Sequence, residues 1–259
     1  MPDLFDLIRK WWKQMVIIVF VSTIITTVIT FLKPRQYLSV ATAVPASSFS
    51  ADKAKIFNQN IEALYTALGT ADDLDMILGT AKLDTVYLFI TDQFNLYDHY
   101  NMSEKGDAAR IKAASLLKGN TSVIKSEYGE LKVKVWDTDK NLAPQLANAI
   151  MSRLEFTHRE LQSAGNKSVL SALDSSLKKI ENSEIKSEEL IDQYRKLKSE
   201  YQLIVDNKPP VLIIVENAKP AEWPDKPKIF QAVVATAALS LLFSILVALL
   251  LDKRKSQKK

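Results

Sequence analysis

Hydrophobic and polar positions divide the chain into three regions. Met15 to Leu32 (MVIIVFVSTIITTVITFL) and Ile229 to Leu251 (IFQAVVATAALSLLFSILVALLL) are apolar and contain no charged residue. At 1.5 Å rise per residue, each approaches or exceeds the ~18 to 20 residues that cross a hydrocarbon core. Both read as transmembrane helices. The pattern sets the boundaries: a segment over 1–14, a first span over 15–32, a mixed domain over 33–219, a proline-rich segment over 220–228, a second span over 229–251 and a basic tail over 252–259.

Inside the central domain the periodicity switches between two and three-to-four. YLSVATAV, from Tyr37 to Val44, alternates like a short strand and stops at Pro45. Helical spacing then runs from Phe57 to Tyr100 (NIEALYTAL, DDLDMILG, TVYLFITDQFNLYDHY), broken at Gly69 and Gly79, and returns in GDAARIKAASLLK. TSVIKSEYGELKVKVWD predicts a hairpin turning near Tyr128 and Gly129, with Leu131, Val133 and Val135 on one face and Lys132, Lys134 and Trp136 on the other. Asp139 or Asn141 is placed to cap a helix that accepts Pro144 in its first turn, pauses at Ser163 to Asn166, and resumes to Asn207.

The resumed part, about 167–206, is the longest predicted element. Leu170, Leu173, Leu177 and Ile180 keep a 3/4 spacing, as do Leu190, Tyr194, Leu197, Tyr201 and Ile204. Between them ENSEIKSEE is polar at the seam positions. A continuous helix with a weak centre is the expectation; a break near Ser183 to Ser187 would instead give a helical hairpin. After Pro209 and Pro210, VLIIVENA reads as a buried strand. The fold class is an α+β domain with a long extended helix, set between two transmembrane helices, its sheet close to the membrane and outside the cytoplasm.

Charge refines the topology. Of 259 residues, 25% are charged and the net charge is +4. Arg9, Lys10 and Lys13 flank the first span, and Lys253, Arg254, Lys255, Lys258 and Lys259 follow the second. The short-loop rule therefore puts both termini in the cytoplasm. Lys33, Arg35, Lys226 and Lys228 weaken that rule, but two spans force the termini onto one side. A cleavable signal peptide is the competing reading of the N-terminus. Its apolar run is too long for that, and LKPRQYL offers no small-x-small site. No clustered basic surface suggests nucleic acid. With no cysteine, a disulfide framework or thiolate metal site is ruled out.

Candidate chemistry is sparse, and no catalytic, cofactor-binding or metal-binding residue is assigned. His99 and His158 lie in separate helical segments without zinc spacing. No phosphate-cradling glycine loop and no GxSxG occurs. Asp72/Asp73 and Glu188/Glu189 are adjacent pairs that point in different directions on a helix. Asp72 or Asp73 reads as a cap, and the glutamates belong to a solvated face. The chain reads as a non-enzyme with no cofactor.

The spans carry more information. Ser22, Thr26 and Thr30 recur every fourth residue in the first, and Ala232, Thr236, Ser240, Ser244 and Ala248 do so in the second. Such rows let helices approach closely and hydrogen-bond across an interface. No ionisable residue lies within either span, which argues against an ion pathway. Trp11 and Trp12, in an interfacial helix with Leu4, Phe5 and Ile8, and Trp223 in the proline-rich segment, suit the headgroup level. Pro220, Pro224 and Pro227 favour an extended backbone through 220–226, with Pro227 acceptable in the first turn of the following span. This stretch reads as a rigid strut.

LFDLIRKWW before a first span, YLSVATAVP just after it, a domain with a long helix, then AKPAEWPDKPK, a second span and a short basic tail together resemble the bacterial chain-length determinants (Wzz type) of the polysaccharide co-polymerase family. The most specific element is Pro220, Pro224 and Pro227 abutting the second span. The first proline spacing is one longer than PxxPxxP, the second span lacks the glycine often found there, and the loop is short for the family, implying a reduced distal helical region. The resemblance implies a two-pass scaffold in the bacterial inner membrane with a periplasmic loop. It also implies a ring-like homo-oligomer, a Wzy-type polymerase as partner, and a lipid-linked glycan whose final length the protein sets, such as a lipopolysaccharide O-antigen. The chain ends eight residues after the second span, leaving no room for the tyrosine-kinase domain of some relatives; a separate kinase partner stays possible. Two alternatives are a structural subunit of an envelope polysaccharide export complex and a two-span sensor. The sensor would need an output domain that the short terminal segments cannot form.

Overall fold

The computed structural model describes residues 4–46, 71–103, 106–182 and 188–256. The chain divides into two compact units. One comprises Met1–Leu38, Thr138–Lys140 and Ala221–Lys259; the other comprises Ser39–Asp137 and Asn141–Pro220. In chain order the elements are α1 (Leu4–Leu32), β1 (Tyr37–Pro45), α2 (Ala71–Thr80), α3 (Asp84–Phe94), α4 (Leu96–His99), α5 (Asp107–Gly119), β2 (Thr121–Lys125), β3 (Leu131–Asp137), α6 (Leu142–Glu181), α7 (Glu188–Asn207), β4 (Leu212–Glu216) and α8 (Ile229–Ser256). The NIEALYTAL helix and the side chains of Asp72 and Asp73 lie outside the described residues.

A four-stranded sheet of order β2-β3-β1-β4 organises the larger unit. The β2–β3 hairpin pairs Thr121 with Val135 and Lys125 with Leu131. Its turn closes through Gly129 N–H donating to the Ser126 carbonyl at 3.0 Å. Gly129 has φ +75°, a left-handed value that a side chain would strain. Burial alternates along β3, with Leu131, Val133 and Val135 fully covered. That face packs on α6, where Leu146, Ile150 and Leu154 recur every fourth residue and are fully buried. Leu74 and Ile77 of α2, Ile90 of α3 and Leu117 of α5 complete the core.

α3 and α4 are separated at Asn95, whose φ of 49° ends the first helix in a left-handed cap. β1 and β4 run antiparallel, Pro45 opposite Leu212, with an irregularity between Thr42 and Ala43.

The continuous helix expected over 167–206 is not what forms. α6 passes through 163–166 without a pause and ends at Glu181, capped at Asn182; α7 starts at Glu188. A lone glycine at 165 costs ~1 kcal/mol in a helix, too little to break one. At 181–188 polar residues occupy every seam position, so continuing the helix would bury nothing. Reversal lets each seam cover the other. Arg195 pairs with Glu181 at 2.8 Å, Lys198 with Asp174, and Lys208 with Glu160 at 2.8 Å. Partner numbers rise on one helix as they fall on the other, so the two form an antiparallel hairpin. The helix ends also suit their macrodipoles, with Lys178 and Lys179 in the last turn of α6 and Glu188 and Glu189 in the first of α7.

On α6 the expected seam of Leu170, Leu173, Leu177 and Ile180 is the covered face. On α7 the covered or partly covered positions are Ile191, Tyr194, Lys198, Glu200, Tyr201, Ile204 and Val205, which include Tyr194, Tyr201 and Ile204 of the expected seam. Leu190 and Leu197, assigned to the seam from sequence, remain exposed.

Candidate functional site

Two helices at the ends of the chain, Arg9–Leu32 and Ile229–Asp252, are long and apolar enough to cross a membrane. They belong to the same compact unit and pack against each other. At one end Trp11 and Met15 meet Ala248 and Ile245, and Lys10 forms an ion pair with Asp252. At the other, Gln36 just past α1 bonds to Lys226 just before α8. The helices are therefore antiparallel. An arrangement of this kind fits a two-pass membrane protein.

The small-residue rows lie along this contact. Ser22 and Thr26 are half-buried and Thr30 is buried; Ala232 and Thr236 are half-buried; Ser240, Ser244 and Ala248 are buried. Val21, Ile25, Leu239 and Phe243 beside them are exposed. The hydroxyls turn back onto their own helices: Thr30 donates to the Thr26 carbonyl at 2.6 Å, Ser240 to Ala237 at 3.1 Å and Ser244 to Leu241 at 2.7 Å. The donors of Thr30, Ser240 and Ser244 are thus satisfied within their own helices.

The tryptophans separate. Trp11 is only 8% exposed and sits in the seam between the helices, whereas Trp12 and Trp223 are 53% and 81% exposed. Residues 4–14 do not form a separate interfacial helix. They are the first turns of a continuous α1, because no residue after Pro2 breaks the helix and Trp11 with Met15, one turn apart, shares one covering surface.

The proline-rich stretch is neither helix nor named strand and bends at Glu222 and Trp223, and the residues at its two ends are hydrogen-bonded. Asn148 of α6 brackets Ala218 with its side-chain amide, accepting from the Ala218 N–H at 2.8 Å and donating to its carbonyl at 3.3 Å. Ser39 Oγ donates to the Lys219 carbonyl at 2.9 Å. Further on, Gln36 N–H donates to the Lys226 carbonyl at 3.0 Å, while Asp225 and Lys226 N–H donate to the Gln36 carbonyl at 2.9 and 3.2 Å. The Lys226–Pro227 bond is cis. Pro227 lies outside α8, which begins at Ile229, and not in its first turn; the Ile229 N–H instead reaches the Pro227 carbonyl at 3.0 Å. Residues 218–219, just before the prolines, are thus held by one amide side chain and one hydroxyl, and residues 225–226, just before the second span, by one backbone bridge. Gln36, Ser39 and Asn148 carried no sequence signal, since their partners lie 70 to 190 residues away.

The chain is similar to a full-length bacterial polysaccharide co-polymerase. The two superpose with a TM-score of 0.44 at 12% identity, over 99% of this chain and 98% of that one. No family model and no curated protein matches the sequence.

The ionisable groups form fastenings. Asp137, 1% exposed at the end of β3, has His99 Nε2 2.9 Å from one oxygen and accepts the Tyr100 hydroxyl at 3.1 Å on the other. Burial and the neighbouring carboxylate push the Tyr100 phenol pKa up. His158 Nε2 lies 2.9 Å from Thr80 Oγ1, tying α6 to α2. Among the described residues no cluster of His, Asp and Glu is arranged to hold a metal ion.

Proposed function

We propose that this chain is a membrane scaffold that regulates the length of a surface polysaccharide, acting beside a Wzy-type polymerase on a lipid-linked glycan. The observation that carries the reading is the bridge between the segment that follows the first span and the segment that precedes the second. A strand begins five residues after the first span, and the residue before it is hydrogen-bonded to the proline-rich run that precedes the second. This is the arrangement on which the resemblance to chain-length determinants rests. Both termini are cytoplasmic in this reading, the larger unit is periplasmic, and copies of the chain assemble into a ring-like homo-oligomer. The polysaccharide is a lipopolysaccharide O-antigen or a polymer made in the same way. The protein works by binding and templating rather than by catalysis.

Glycan gel electrophoresis of a deletion strain tests the proposal. Loss of the chain should broaden the length distribution of a surface glycan without abolishing its synthesis, and an unchanged ladder would remove the reading. Loss of surface polymer with normal lengths inside the cell would point to an export subunit instead. Purified full-length protein should have an oligomer's mass by light scattering in detergent; a monomer would count against a scaffold. Replacing Pro220, Pro224 and Pro227 together with alanine should leave insertion intact and alter glycan length. Loss of insertion would restrict the prolines to serving the span.

A further inference from the structure

Beside the seam of the two spans runs an apolar groove of about 370 Å³, lined by Met15, Val16, Val19, Phe20, Thr23, Leu241 and Ile245. Eight residues of α1 separate Met15 from Thr23, a length of ~12 Å. Spread over that length, the volume leaves a cross-section on the order of 30 Å². That cross-section accommodates a single hydrocarbon chain.

The end of the groove nearer the chain's N-terminus leads to charged residues. Trp12, Val16, Val19 and Thr23 fall in one row along α1 at helical spacing, and Arg9, Lys13, Val16 and Phe20 fall in the adjacent row. Following either row out of the groove toward the chain's N-terminus leads to a half-exposed indole and then to two exposed cations. The Lys13 ammonium lies over the Trp12 ring, 6.0 Å from its centroid. Lys10, on the other side of the helix, is engaged by Asp252. Arg9 and Lys13 make no ion pair among the described residues.

The geometry points to a binding site for one anionic phospholipid: an acyl chain lies in the groove, and its phosphate is held by Arg9 and Lys13 beside Trp12. Indole and cations stand where headgroups meet hydrocarbon, and cations at that level attract anionic lipid. The occupant is a bilayer lipid because only an amphiphile can fill the slot and reach the cations together. The inference rests on the two helices spanning a bilayer and is independent of the glycan.

Native mass spectrometry of the full chain, released from detergent with dioleoyl phosphatidylglycerol or dioleoyl phosphatidylethanolamine, tests it. Phosphatidylglycerol should be retained in preference by on the order of tenfold, from two cations at the headgroup. The Arg9→Gln/Lys13→Gln variant should lose that preference, and the Arg9→Lys/Lys13→Arg variant should keep it. Val16→Trp should fill the groove and release both lipids. Excess soluble glycerol phosphate should displace neither; displacement would show a free-phosphate site and overturn a lipid one. Equal retention of the two lipids by the wild type would overturn the proposal. So would unchanged retention in Val16→Trp, or a lipid-free dimer with the groove protected.

Discussion

The two halves of α6 are held by different physics. From Leu142 to about Glu160 the helix lies against the sheet and helices α2 and α3, with Leu146, Ile150, Met151 and Leu154 fully buried. From there to Glu181 its main partner among the described residues is α7. That seam is only partly covered: Leu173 is buried, but Leu177 and Ile180 are half-buried. Its ion pairs are between groups roughly 40% to 60% exposed, where water and salt leave each with about 0 to 1 kcal/mol. One helix therefore combines a rigid inner half with an outer half that opens at lower free energy. Secondary structure is the same in both; covered apolar area is not.

The sharpest way to break this comparison is to delete matched side chains. Leu154→Ala should destabilise the domain by ~2 to 5 kcal/mol in denaturant titration, and Leu173→Ala by less than half of that, because the neighbours around it, such as Leu177 and Ile180, are only half-buried and can close on the space. Equal losses would mean the hairpin is as well packed as the base. Asn148→Ala should follow at ~1 to 3 kcal/mol, since it strands the Ala218 N–H and carbonyl together; amide hydrogen exchange should report faster opening at 217–219.

Alkali should act on the inner half first. Tyr87, buried in the core beneath α3 and donating to the Ala81 carbonyl at 2.7 Å, has its phenol pKa pushed up from 10.0 to about 12 by burial and by Asp84. Unfolded tyrosine ionises near 10, so between about pH 10 and 12 the unfolded state releases a proton that the folded state keeps. Stability fully present below pH 10 should therefore fall as pH rises through that window. Tyr87→Phe should flatten the fall, measured by circular dichroism against pH. The smallest effect expected is for Lys198→Glu, which removes the Asp174 pair of the hairpin: about 1 kcal/mol or less, diminishing as salt rises.

Periodicity alone located most elements because it is local. The alternation in TSVIKSEYGELKVKVWD is the alternation of buried and exposed side chains on β3, and Leu170, Leu173, Leu177 and Ile180 form the covered face of α6. It could not choose between a long rod and a hairpin, since ENSEIKSEE suits both a solvated mid-helix and a turn. It also put the α7 seam one position off at Leu190 and Leu197, where two neighbouring faces are about equally apolar. In the candidate site the small-residue rows and the prolines stood out, because composition and spacing define them. Trp11 looked like an interfacial residue, as any tryptophan at that depth would; its place in the seam depends on Ala248, more than 200 residues away.

The sequence by itself therefore determined which segments are apolar enough to span a bilayer, which alternate as strands, and where prolines forbid a helix. Each of these follows from backbone geometry and hydration within a few residues. Only the tertiary structure decided that the long helix reverses, that Asn148 and Ser39 hold residues 218–219 while Gln36 holds 225–226, and that exposed cations stand near one end of an apolar groove. Those outcomes depend on which distant surfaces cover one another, and covered area is a property of the assembled chain.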